Sequence, residues 1–407
     1  MRTVVYVVLV VMLFFSCQEA QKMELAEGVW HAELKVAENE VLPFNFILSK
    51  KPKGGYEMTI SNASEKIVVD ELLLDKDSIR INMPVFEGYI LGTFSETALQ
   101  GEFIKESLER YVPFTAVHGI KSRFTKSEKA QVNVSGIWEV SFDFDTDEPY
   151  PAKGIFTQLG DSVTGTFRTK TGDYRYLEGV VDGNRLKLST FDGAHAFLFT
   201  ANATDSTLNG QFYSGNHSLE NFKAKKNPDF ELPNADSLTF LKDGYTQFEF
   251  SFPDENGNMV SPSDAVFQDK VLLVQIMGTW CPNCLDETKY YVEYLNKNPS
   301  QDLEVIALAF EYAKTEEKAW AGIGRLKNRV GVNYPILLAQ VGSSSKIEAN
   351  EKLPMLNHVL SYPTTIYIDK QGEVRKIHTG FNGPATGEKH EAFKREFEQT
   401  LKELLAE

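Results

Sequence analysis

Cys281 and Cys284 stand three apart in Cys281-Pro282-Asn283-Cys284. Two thiols at that spacing can hold a metal, or they can make and break a disulfide with each other. Zinc needs about four ligands. The chain has three cysteines, the third being Cys17, so no second pair completes a zinc site. None of its seven histidines lies near the motif in sequence or forms a His-x₃₋₅-His pair. We therefore read no metal site and expect no cofactor. An exported chain with a single thiol pair has no disulfide framework. A loop this short gains little from cross-linking the unfolded state, so a purely structural bond is disfavoured. Redox exchange is the chemistry left.

Exchange needs a thiolate, and the flanking elements must favour one. Lys270 to Met277 is a continuous apolar, β-branched run, as expected for a buried central strand. Gly278-Thr279-Trp280 breaks it. Leu285 to Asn296 reads as helix, with Leu285, Thr288, Tyr291 and Leu295 near helical spacing. Pro282 suits the first helical turn, where its missing N–H costs nothing. The free N–H groups and dipole of a helix start stabilise a thiolate on Cys281. Cys284, one turn on, lies on the same face and can attack a mixed disulfide formed at Cys281.

The following elements are read as the strand Leu303 to Phe310, the helix Thr315 to Val330 and the short strand Tyr334 to Ala339. After them come a proline-opened strand over residues 361–369, a hairpin partner over 373–378, and an amphipathic helix from Glu388 to Leu405. This is a thioredoxin-like α/β order. The segment from about Asp243 resembles the TlpA/ResA branch of thioredoxin-like protein disulfide reductases. The resemblance rests on Phe252-Pro253-Asp254, Lys270 to Val274, Thr279-Trp280-Cys281-Pro282-Asn283-Cys284, Tyr362-Pro363-Thr364-Thr365 and Asp369-Lys370-Gln371-Gly372.

The resemblance implies roles. Cys281 is the nucleophile and Cys284 the resolving thiol. Glu287 matches an acidic residue that influences thiol titration; the alternative is a solvated helix-face charge. Pro363 matches a cis-proline facing the sulfurs, with a trans proline at a strand start as the alternative. Tyr362 lines the substrate groove through its backbone, and Pro282 and Thr364 flank it. Trp280 packs beside the motif or belongs to the core. Gln275 occupies the place of a buried Asp of thioredoxins, so that residue's proton-shuttle role is not carried over.

From Gly28 to about Lys226 the chain alternates apolar and polar residues, with turn residues every 8–12 positions. Gly28-Val29-Trp30 recurs as Gly136-Ile137-Trp138, and Leu99-Gln100-Gly101-Glu102-Phe103 as Leu208-Asn209-Gly210-Gln211-Phe212. The offsets, 108 and 109 residues, are nearly constant. We read a multidomain chain: duplicated antiparallel β units, barrel or sandwich, of seven or eight strands each, followed by the thioredoxin-like domain. The expected divisions are a signal peptide at 1–16, β units at 17–125 and 126–227, a linker at 228–243 and the redox domain at 244–407. Tyr150, Tyr174, Tyr176 and Tyr213 are read as strand residues, with a binding surface as the alternative.

Val4 to Phe15 is an apolar run behind Arg2, too short to span a membrane and suited to a signal-peptide core. Its end, Ser16-Cys17, resembles a bacterial lipobox, which implies cleavage before Cys17, lipidation of its thiol and anchoring to a membrane. Net charge is −15 and no Lys/Arg block is present, which disfavours nucleic acid as a partner. The leading function is a membrane-anchored extracytoplasmic thiol–disulfide oxidoreductase in the bacterial cell envelope, facing the periplasm. Its expected partners are a protein or peptide disulfide and a membrane electron-donor thiol protein. The alternatives are a thiol peroxidase, or a binding lipoprotein whose β repeats carry the main role. Peroxidases of the peroxiredoxin type follow Thr/Ser-x-x-Cys, whereas Gly278 stands three before Cys281.

Overall fold

The computed structural model describes residues 24–407, so Cys17 and the apolar run before it lie outside the described residues. Period-two alternation builds the first sheet. In the strand Gly28–Lys35, Trp30, Ala32 and Leu34 are buried and their neighbours less so. This strand lies mid-sheet, antiparallel to Val41–Lys50 on one side and to Arg110–His118 on the other. The second sheet repeats the plan, with Gly136–Phe142 between Tyr150–Leu159 and Ser218–Lys226. There Tyr150–Leu159 also pairs with Ser162–Thr169, which closes the ring. Both units are barrel-like antiparallel sheets.

Each sheet has nine strands, more than the turn spacing predicts. In the first, Glu65–Val69 and Glu71–Asp75 are separated by Asp70 alone, a corner with no Gly or Pro to announce it. In the second, Gly172–Asp173 is a two-residue strand, too short to leave a pattern. Tyr213 is buried, and Tyr174 packs on Phe199 and Phe212 inside the second barrel. Tyr150 is held from its hydroxyl by Tyr174 and Glu220. Tyr150 and Tyr174 serve the second barrel, and Tyr213 joins the core shared with the first barrel and the redox unit.

The C-terminal sheet has five strands, and the fully buried Val271–Met277 is at its centre. Leu303–Phe310 and then Ile336–Gln340 add to one side in parallel. Thr364–Ile368 and then Val374–Thr379 add to the other side antiparallel. Helices Pro282–Lys297, Glu316–Val330, Lys346–Lys352 and Glu388–Ala406 complete this thioredoxin-like unit. Thr315 caps Glu316–Val330 by accepting the Lys318 N–H, and Gly331, at φ 78°, ends it.

The three units share apolar surface. One core lies within the second barrel; the other runs continuously from the first barrel into the redox unit. Phe191 of the second barrel joins this larger core, stacking on Phe44 at 4.4 Å and meeting Phe103 edge-on at 5.0 Å. Residues 228–243 cross to the redox sheet as a pinned strap. Along it, Thr239 is fully buried, and Asp236 pairs with His378 at 2.6 Å and Lys376 at 3.1 Å.

Candidate active site

The central strand ends at Met277, and the chain turns through Gly278-Thr279-Trp280 into the helix Pro282–Lys297. A Cβ on Gly278 would meet the Trp280 indole nitrogen at 2.3 Å, so only glycine lets that indole fold back over the turn. Trp280 Nε1 donates to the Phe310 carbonyl at 2.9 Å. Its ring lies 5.6 Å from Tyr312 and 5.4 Å from Tyr362. The buried Glu311 carboxylate accepts from the Thr279 N–H at 2.7 Å and its hydroxyl at 2.8 Å. Burial pushes that carboxyl up to about 7. The turn leading into the motif is therefore fixed through both Thr279 and Trp280.

Cys281 is the residue that caps the helix, and its sulfur accepts the Cys284 N–H at 3.1 Å. Cys281 and Cys284 are joined as a disulfide. Cys281 is 6% exposed and Cys284 is fully buried, so Cys281 is the sulfur that an incoming group can reach. The Tyr362–Pro363 peptide bond is cis, and the Tyr362 carbonyl oxygen lies 3.3 Å from the Cys281 sulfur. Pro282 opens the helix at its first position, as expected for a residue without an N–H.

Glu287 is one turn beyond Cys284 and fully buried, which excludes the solvated helix-face reading. Gln275 Nε2 donates to its Oε2 at 2.8 Å, and Thr365 Oγ1 donates to its Oε1 at 3.1 Å. Burial pushes its carboxyl up to about 6, against these stabilising bonds. Gln275 thus supports the buried Glu287 carboxylate. Thr364 does not line the cleft at the dithiol. It is fully buried, and its hydroxyl donates to the Ser361 carbonyl at 2.9 Å, fixing the bend before the cis bond.

A model of the Redoxin family matches residues 223–394. The C-terminal part is a Redoxin domain. Three curated relatives are similar to about a third of this chain. Thioredoxin-like protein YneN of Bacillus subtilis is 28% identical over 140 residues, 34% of this chain and 73% of its own. Thiol-disulfide oxidoreductase ResA of the same species is 26% identical over 140 residues, 34% of this chain and 69% of its own. Thiol:disulfide interchange protein DsbE of Vibrio cholerae is 29% identical over 139 residues, 34% of this chain and 65% of its own. The Redoxin domain is of the thiol–disulfide oxidoreductase class.

The second barrel reaches this Redoxin domain at the dithiol, which no local pattern announces. Asn283 Nδ2 donates to the Asp173 carbonyl at 3.2 Å, and Ser361 Oγ to the Thr171 carbonyl at 2.9 Å. Gly172, at φ 149°, permits the approach, because a Cβ there would lie 2.0 Å from Asn283 Nδ2. Arg175 is buried and donates to the Pro282 carbonyl at 3.2 Å. Its guanidinium pairs with Asp286 at 2.6 Å, with Glu65 of the first barrel, and with Asp192 at 3.2 Å. One cation therefore ties both barrels to the first turn of the active-site helix.

Proposed function

We propose that the chain is a lipid-anchored, extracytoplasmic oxidoreductase of the bacterial cell envelope that reduces protein disulfides through Cys281 and Cys284. The observation that carries this reading is the reachable Cys281 sulfur at a helix start, beside the Tyr362 carbonyl and bonded to Cys284. The names of ResA and DsbE support thiol–disulfide interchange. The Ser16-Cys17 end of the apolar run, outside the described residues, supports the anchor. Among the described residues no helix is long and apolar enough to cross a membrane.

In the reduced protein the Cys281 thiolate attacks one sulfur of a substrate disulfide. That S–S bond breaks, the departing thiolate takes a proton, and Cys281 is left in a mixed disulfide. Cys284 loses its proton and attacks the Cys281 sulfur, releasing the second substrate thiolate. Two electrons have passed to the substrate, and Cys281 and Cys284 end as a disulfide. A donor dithiol, in this reading a membrane thiol protein, returns the two electrons. Glu287, whose carboxyl burial pushes up to about 6, is suited to receive the Cys284 proton around neutral pH. Tyr362 and Pro363 position the incoming sulfur, and Trp280 and Pro282 flank it.

A crossed pair of variants tests both halves. Cys281→Ser abolishes reduction of an insulin-like disulfide substrate and leaves fatty-acid labelling and membrane fractionation intact. Cys17→Ala abolishes the labelling and leaves turnover intact. Turnover in Cys281→Ser contradicts the mechanism. Normal processing and membrane retention in Cys17→Ala contradict the anchor.

A further inference from the structure

The Cys281 sulfur opens into a roofed cleft of about 370 Å³. Its floor is the Redoxin domain, through Trp280 to Asn283 and Tyr362. Its walls come from both barrels, with Lys105 and Arg110 from the first and residues 194–197, Ser214, Gly215 and His217 from the second. The volume is near the lower end of ligand pockets, so a short segment fits and a folded surface does not.

The charge of these walls is opposite to that of the molecule. The chain carries −15, yet no Asp or Glu lines the cleft. Lys105 Nζ donates to the Ala194 carbonyl at 2.9 Å, and neither Lys105 nor Arg110 forms an ion pair among the described residues. The nearest carboxylates acting on Lys105 are Asp192, already held by Arg175 and His195, and Glu87. Burial and then Arg110 draw the Lys105 ammonium down to about 8, so it is charged at neutral pH. Burial, Arg110 and Lys105 draw His217 down to about 4. Lys105, Arg110 and a neutral His217 thus line the same cleft as Cys281.

We propose that this cleft, built by the β units over the dithiol, selects disulfides carried on short carboxylate-bearing segments, with Lys105 and Arg110 as the specificity-determining residues. The inference rests on the thiol–disulfide reading of the same site. A cationic cleft raises the local concentration and on-rate of an anionic ligand about 10-fold or more. The carboxylates can belong to a small free disulfide or to a mobile acidic stretch of a larger protein.

The test uses the whole reduced protein with three disulfide-linked peptides of equal length, flanked by Asp, by Ser or by Lys. The expected kcat/KM is at least about 10-fold higher for the Asp peptide than for the Lys peptide at low salt, shrinking as salt rises. In Lys105→Gln with Arg110→Gln this ratio falls towards one. A second readout is the rate of Cys281 alkylation by iodoacetate relative to iodoacetamide. That ratio exceeds the ratio for a free cysteine peptide and drops several-fold in the double variant. The same Asp stretch fused to an unfolded carrier separates a segment of a protein from a small disulfide, since a closed roof admits the second alone. Equal kcat/KM for the three peptides, with an alkylation ratio matching the free peptide, overturns the cleft inference and leaves the exchange chemistry standing. Failure to reduce any peptide overturns the thiol–disulfide reading, and this inference with it.

Discussion

Glu287 has to keep a carboxyl inside a protein, and what it does there follows from two opposed effects. Burial raises it to about 6, while Gln275 and Thr365 favour its charged form. Because the folded value lies above the ordinary 4.5, folding favours the neutral acid. That contribution is full below about 4.5 and is lost as pH rises through about 6. Glu287→Gln therefore raises the thermal midpoint at pH 8 and leaves it nearly unchanged at pH 4. The same charge repels a nearby thiolate, so in Glu287→Gln the pH profile of cysteine alkylation moves to lower pH. An unmoved profile, with the stability change present, makes Glu287 a purely structural group. At this scale the sequence was informative. The spacing in Cys281-Pro282-Asn283-Cys284 and the position of Pro363 are local patterns. The burial of Glu287 depends on strands packed against its helix, and a helix-face position alone does not disclose it.

Elements in the redox unit were legible for the same local reason. Leu303–Phe310 matches its apolar run end to end, and Thr315, expected as the first residue of a helix, is its cap. The apolar spacing marks the helix only from Leu285, and Pro282, read as a first-turn residue, is what locates its start. What holds that first turn in place was not legible. Arg175 and Asp286 are 111 residues apart, and neither stands in a motif. With a 5% exposed side chain, Arg175 compensates Glu65, Asp192 and Asp286, whose side chains are 11%, 1% and 12% exposed. Arg175→Met strands these carboxylates out of water and costs about 3–5 kcal/mol. Urea unfolding measures the loss, which is expected to shrink at low pH as the carboxylates protonate. A cost below about 1 kcal/mol would mean that water reaches the cluster.

Across the whole molecule, the duplication predicted two independent β units beside a redox unit. The repeat was visible because Gly-x-Trp and Leu-x-Gly-x-Phe mark equivalent strands. The joining of the units was not, since a residue that bridges cores carries the same apolar signature as one inside a core. Phe191 is such a residue, fully buried between Phe44 and Phe103. Phe191→Ala is expected to cost about 3–5 kcal/mol and to lower the unfolding midpoint of the first barrel and the redox unit together. An effect confined to the second barrel would show that the shared core does not couple them. The arrangement matters for chemistry, because the barrels wall the cleft into which Cys281 opens.

In the proposed mechanism Cys281 attacks and Cys284 resolves. The most direct measurement is the intact mass of Cys284→Ala after incubation, in reduced form, with a disulfide-linked peptide. Attack proceeds without resolution, so one peptide half is expected to accumulate on the protein and to map to Cys281 after digestion. Absence of the adduct, with the variant folded and its Cys281 alkylable, would contradict the account.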